Sequence, residues 1–111
     1  MVAPQAVCIV DTDDTISKAL SILLRRYGIQ VHSWHEADQF VTALEGAAGQ
    51  TFCVLIGLDP AEEACFDLIR QLRQLGYRFP VIVLSNGEGD RIRESALTAG
   101  ATDVVEKAIV Y

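Results

Sequence analysis

The sequence predicts a doubly wound α/β fold with a parallel five-stranded sheet, on three observations. Short apolar runs alternate with amphipathic segments of about a dozen residues, the rhythm of strand and crossover helix. The runs at 7–10, 52–56 and 80–84 are continuous in Val, Ile, Leu and Cys rather than alternating, as in strands covered by helices on both faces. Polar residues follow the ends of these runs, the edge at which such sheets carry their chemistry.

Taken in order, Val7-Cys8-Ile9-Val10 is the first strand. Ile16, Ala19, Leu20, Leu23, Leu24 and Tyr27 then recur at spacings of three and four, which predicts a helix with one apolar stripe. Asp13 and Asp14 stand where an N-cap and a first helical turn want carboxylates, and Gly28 stands where a helix ends. Residues 29–34 give a second strand, ending in Trp34, a peripheral core residue. Ala37, Phe40, Val41 and Leu44 form a second helical stripe before Gly46. Residues 52–56 form the third strand. Glu62 and Glu63 precede a third stripe of Cys65, Leu68, Ile69 and Leu72, closed by Gly76. Pro80 opens the fourth strand. A shorter helix near 90–99, with Ile92, Ala96 and Ala99 inward, is stopped by Gly100, and residues 103–105 complete the sheet.

With 111 residues, 50% apolar and 22% charged, there is room for one domain and one core. The formal charge of −6 and nine scattered basic residues argue against nucleic-acid binding by this segment, because phosphate contacts need clustered Lys and Arg. No apolar run is long enough to span a bilayer, and the first residues lack a basic stretch leading into an apolar one. A cytoplasmic protein without membrane association is the expectation. Cys8, Cys53 and Cys65 have no CxxC spacing and read as small core residues. His32 and His35, flanking Trp34, lack the further ligands of a metal site and are expected at solvated or edge positions.

The carboxyl edge of the sheet gathers Asp11-Thr12-Asp13-Asp14, Gly57-Leu58-Asp59-Pro60, Ser85-Asn86-Gly87 and Lys107 from four distant segments. No GxGxxG or GxxxxGK[ST] loop follows the first strand, which disfavours the usual nucleotide sites. Val7 through Asp11, Gly28, Pro80 through Ser85, Ala99-Gly100-Ala101 and Lys107 together resemble the receiver domain of bacterial response regulators, the CheY-like superfamily, over nearly the whole chain. The details are most similar to receivers that precede a LuxR-type helix-turn-helix domain.

The resemblance implies a flavodoxin-like sheet in order 2-1-3-4-5 flanked by five helices. Four are supplied here, since the chain stops at Tyr111, just past the fifth strand: either residues 1–111 are the N-terminal part of a longer regulator, the reading preferred, or the fifth helix is missing or remodelled. In phosphorylated receivers an aspartate ends the third strand and two acids after the first strand help it hold Mg²⁺. Here Gly57 takes the acceptor position and Thr12 the second acidic position, while Asp11 is retained. Ser85 and Lys107 match the hydroxyl and the lysine that contact the phosphoryl group. Val104 replaces the switch aromatic, and Ala108 the proline that usually follows the lysine.

No metal or cofactor is expected on this pattern, with Asp11 and Asp13 as the residual candidates for Mg²⁺. Lys107 needs a counter-charge, and Asp11 is the expected partner in a structural ion pair. Arg91, Arg93 and Glu94 fall on the fourth helix, whose face mediates dimerisation in many receivers. The sequence therefore points to a non-enzymatic, phosphorylation-independent receiver that regulates a transcriptional output through protein contacts, as a homodimer or against an attached output domain. One alternative is a working phosphoreceiver with a non-standard acceptor such as Asp59 and bound Mg²⁺. A flavodoxin-like ligand-binding module is another.

Overall fold

Each apolar run becomes a strand and each amphipathic segment a helix, because a strand apolar on both faces needs a helix layer on each side. The structure, a computed structural model, describes residues 6–46, 50–57, 62–85 and 90–106. The elements are β1 (Ala6–Asp11), α1 (Asp14–Arg26), β2 (Gln30–Trp34), α2 (Ala37–Leu44), β3 (Thr51–Gly57), α3 (Glu62–Gln74), β4 (Val81–Ser85), α4 (Asp90–Ala99) and β5 (Asp103–Glu106). All neighbouring strands pair in parallel, in the order β2-β1-β3-β4-β5. This is the flavodoxin-like, CheY-like arrangement. None of the described helices is long and apolar enough to cross a membrane.

Alternation along the strands divides the core between the two faces. Cys8 and Val10 of β1, Val54 and Ile56 of β3, and Val81 and Val83 of β4 meet Phe40 and Leu44 of α2, Cys65, Leu68, Ile69 and Leu72 of α3, and Ile92 and Ala96 of α4. Phe66, absent from the predicted stripe, is buried there too. The opposite face holds a smaller cluster of Val7, Ile9 and Val31, against which Leu20 and Leu24 of α1 pack. β1, paired on both sides, is buried along its whole length.

The first helix departs from its predicted stripe. Ile16 is fully buried, but Leu23 is 47% and Tyr27 76% exposed, and Ala19 is exposed as well. Among the described residues α1 is the only helix that contributes to the smaller cluster, and the half of its apolar side carrying Ala19, Leu23 and Tyr27 is exposed. Phe52 departs for another reason. Ala6 pairs with Thr51 and Val7 with Cys53, so Phe52 is an extra residue at a bulge and is 56% exposed. Cys8 and Cys65 are buried and Cys53 is half-buried, all as free thiols. Burial pushes the Cys65 thiol up to about 12.

The amino edge of the sheet is held by side chains as well as by the ladder. Arg73, in the last turn of α3, donates from Nε to the Gly100 carbonyl at 2.9 Å and from Nη1 to the carbonyls of Tyr77 at 3.0 Å and Phe79 at 2.8 Å. Burial lowers its pKa from the ordinary arginine value, while a guanidinium keeps its charge. The Val81 N–H donates to Thr102 Oγ1 at 3.0 Å, and the Thr102 N–H donates to the Val81 carbonyl at 2.7 Å. Gly100 allows this closure twice over. Its φ of +121° lies where side chains are strained, and an added Cβ would sit 2.8 Å from Arg73 Cγ.

Candidate functional site at the carboxyl edge

β1 and β3 are adjacent, and their parallel register makes Asp11 and Gly57 partners at the carboxyl ends of the two strands. The sheet thus brings together the acid that ends β1 and the glycine that ends β3. β4 ends beside them at Ser85, which is partly buried and pairs with Glu106 of β5. Asp59 and Lys107 lie outside the described residues, as does the ion pair expected between Lys107 and Asp11. Ala108 does too.

Asp11 is fully buried, and its surroundings bend the chain into α1. Its Oδ1 accepts the Asp13 N–H at 2.8 Å, an aspartate turn that redirects the backbone after β1. Asp13 is then the N-cap of α1, as its sequence position predicts: its φ and ψ are −101° and 117°, and its Oδ1 accepts the Thr15 N–H at 2.9 Å. Thr12, between them, is exposed. Asp11, at the end of β1, and Asp13, just after it, are thereby tied into the turn and the cap.

His32 and His35 both lie at the exposed edge that the sequence predicts, but His35 has a further role that residue spacing does not reveal. Its Nδ1 lies 3.1 Å from the Asp11 carbonyl oxygen. A carbonyl can only accept, so Nδ1 carries the proton in this contact. The bond joins the end of β2 to the end of β1 across a separation of 24 residues. Trp34, one residue earlier, is partly buried, with its ring centroid 5.2 Å from that of Phe40.

Val104 lies within β5, partly buried against the larger core cluster and paired with Val83. Arg93 of α4 reaches β5, where Nη1 lies 2.9 Å from Asp103 Oδ1 and 3.4 Å from the Val104 carbonyl. The Val104 N–H, first, and Arg93, second, hold the Asp103 carboxyl below the usual carboxylate range. Arg91 and Glu94 are exposed on the same helix.

Octahedral Mg²⁺ wants several oxygen donors, carboxylates foremost. At the strand ends the described residues offer one buried carboxylate, Asp11, and neither Thr12 nor Gly57 adds another. Among the described residues no group of three or more His, Cys, Asp or Glu is placed to hold a metal ion. This described donor set does not fit a receiver's Mg²⁺ site.

The chain matches the family described as response regulator receiver domain over residues 7–110. It is 33% identical to the response regulator protein TodT of Pseudomonas putida over 100 residues, covering 89% of this chain and 43% of that protein. It is 34% identical to the response regulator protein TmoT of Ectopseudomonas mendocina over 101 residues, covering 89% of this chain and 44% of TmoT. The chain therefore spans less than half the length of these curated relatives. Among solved structures, that of FixJ-N superposes with a TM-score of 0.78 at 26% identity, covering 96% of this chain and 83% of that one. The strand order and these matches agree, and the chain belongs to the response regulator receiver domain family of two-component signalling.

Proposed function

We propose that this receiver domain acts without aspartyl phosphorylation, as a regulatory protein-interaction module that controls an output by contact. The observation that carries the reading is the pairing of Asp11 with Gly57 at the ends of β1 and β3. At the position where a phosphoreceiver carries its nucleophile there is no side chain, and a backbone methylene cannot attack phosphorus. Thr12 supports the same conclusion, since a hydroxyl does not replace a metal-binding carboxylate. Val104 supports it too, having no ring to rotate between two states. Asp11 and Ser85 then serve as structural remnants of the edge, with Lys107 as the partner of Asp11.

The output contact is assigned to α4 and β5. Arg93 braces this face through Asp103, while Arg91 and Glu94 are exposed beside it. A homodimer or an attached transcriptional output domain is the partner proposed there. The much greater length of TodT and TmoT supports an output outside this segment. DNA contact would belong to that output.

The test is incubation with acetyl phosphate and Mg²⁺ followed by intact-mass measurement. The expected spectrum has no phosphoryl adduct. A hydroxylamine-sensitive adduct would sink the proposal, and peptide mapping to Asp59 would establish the alternative acceptor. In the same experiment Gly57→Asp alone is expected to remain a poor Mg²⁺ binder by calorimetry, because Thr12 still lacks a carboxylate. Ordinary Mg²⁺ binding by that variant would show that the Thr12 position carries less weight than assigned here.

A further inference from the structure

An open five-stranded sheet has two free edges, here the outer sides of β2 and β5. In a parallel pair, a residue that bonds across does so to the two neighbours of its register partner, and the partner's own N–H and C=O point away. The Val54 N–H donates to the Pro80 carbonyl at 2.9 Å, so Val54 faces β4 and Cys53 faces β1. Cys53 is in register with Val7 and Val7 with Val31, which turns Val7 to β2 and Val31 outward. On the other side Val54 is in register with Val81, which therefore faces β5 and accepts the Thr102 N–H at 2.7 Å. Val83 shares that direction, and its partner Val104 points outward. Val31 and Val104 thus present backbone groups at the two open edges.

At both positions an arginine reaches the edge. Arg25, in the last turn of α1, donates from Nη2 to the Val31 carbonyl at 3.4 Å. Arg93 of α4 donates from Nη1 to the Val104 carbonyl, also at 3.4 Å. Each arginine belongs to the helix that leads into the edge strand it covers. Both bonds are long and their donors exposed, so they contribute little to stability; what they do is park a charged side chain over an open carbonyl. At β5 the closure is double. The Val104 N–H donates to Asp103 Oδ1 at 2.8 Å, and that same oxygen lies 2.9 Å from Arg93 Nη1. An incoming strand would have to displace both partners before it could pair with Val104.

Strand addition draws its affinity from backbone groups, so the molecule that always offers a matching edge is another copy of the same protein. Two β5 edges would close about a two-fold axis. β2 of one copy on β5 of the next would leave a free edge at each end and propagate as a filament. We infer that Arg25 and Arg93 are edge guards, which close β2 and β5 against strand addition by a second copy of this chain and confine contacts between copies to side-chain surfaces. The inference goes beyond the α4/β5 output contact proposed above and does not rest on it.

The experiment compares the 111-residue chain with Arg25→Ala/Arg93→Ala by sedimentation velocity over a concentration series and by amide hydrogen exchange. The parent's own association is the baseline; a dimer through helix faces would appear there without new protection at the edge amides. The double variant is expected to associate about tenfold more tightly or more, with concentration-dependent protection gained at the Val31 and Val104 amides. Arg25→Lys/Arg93→Lys is expected to match the parent, since an ammonium over the carbonyl also blocks pairing. Arg26→Ala/Arg78→Ala removes the same charge from two other exposed arginines and is expected to match it too. In Arg93→Ala alone, where only β5 is opened, adding Val104→Pro removes the outward N–H while sparing the ladder, and is expected to return association to the parent's level. Urea unfolding is read on every variant. Association no tighter than the parent's, an equal gain in the Arg26/Arg78 control, a gain without protection at Val31 or Val104, no reversal by Val104→Pro, or a gain that follows lost stability across the variants would each overturn the inference.

Discussion

The two ends of the sheet are built from the same kinds of residue and hold together differently. At the amino edge the polar groups are matched over short distances: Arg73 serves three carbonyls, and Val81 and Thr102 bond to each other in both directions. At the carboxyl edge Asp11 is buried beside a glycine, Thr12 faces solvent, and the turn into α1 uses Asp11 and Asp13 as backbone acceptors. One edge is specified by stability. At the other, the carboxylates of Asp11 and Asp13 serve as acceptors in the turn and the cap. On the proposed function, architecture and chemistry part company within one fold, because the ladder and the core need apolar runs and good caps, not a nucleophile.

If that contrast is right, the largest stability effects come from the amino edge. Gly100→Ala is expected to cost about 2–4 kcal/mol, because it combines an unfavourable φ with a Cβ pressed on Arg73. Arg73→Met follows at about 1–3 kcal/mol, discounted because solvent reaches part of the guanidinium and can hydrate the abandoned carbonyls. Urea unfolding measures both. Losses below about 0.5 kcal/mol in each would remove the distinction between the edges.

A smaller effect tests the carboxyl edge. Asp11→Asn and Lys107→Met, made singly and together, are expected to show a coupling of about 1 kcal/mol if these residues form the proposed structural ion pair. Strict additivity would leave Asp11 as a turn residue alone.

The smallest effect concerns Asp103. Its carboxyl is held below the usual carboxylate range by the Val104 N–H and Arg93. A depressed carboxylate contributes stability that is complete above its unfolded pKa and is lost as pH falls through the folded one. Asp103→Asn should therefore be slightly less stable than the parent at neutral pH, with the two curves converging below about pH 4, the ordinary range for Asp. A stability difference that stays constant with pH, or widens in acid, would contradict the cited cause.

Much of this was readable in the residues. The nine elements follow the predicted order, with ends displaced by a residue or so: Ile29 belongs to the exit from α1, and β4 starts at Val81 rather than Pro80. Gly28, with φ of +77°, ends α1 as expected. Its N–H donates to the Arg25 carbonyl and that of Ile29 to the Leu24 carbonyl. The Asp13 cap was readable because its partner is two residues away. Leu23 and Tyr27 were not, since periodicity identifies an apolar stripe without saying how much of it a neighbour covers. Arg73 gave no signal of its own: its farthest acceptor, Gly100, is 27 residues distant. His35 could be placed at a strand end, but its bond to the Asp11 carbonyl depends on the register of β2 with β1.

The sequence by itself determined the element order, the parallel sheet, the caps and the identity of the residue at each strand end, because those depend on periodicity and on interactions within a turn or two. It also puts Gly57 at the end of the third strand, where the resemblance leads one to expect an acid. Tertiary structure alone decided which residues share an edge. It set Asp11 opposite Gly57, carried Arg73 to the Gly100 carbonyl and left half of the α1 stripe exposed. These are fixed by packing and register between elements, which no local pattern in the chain records.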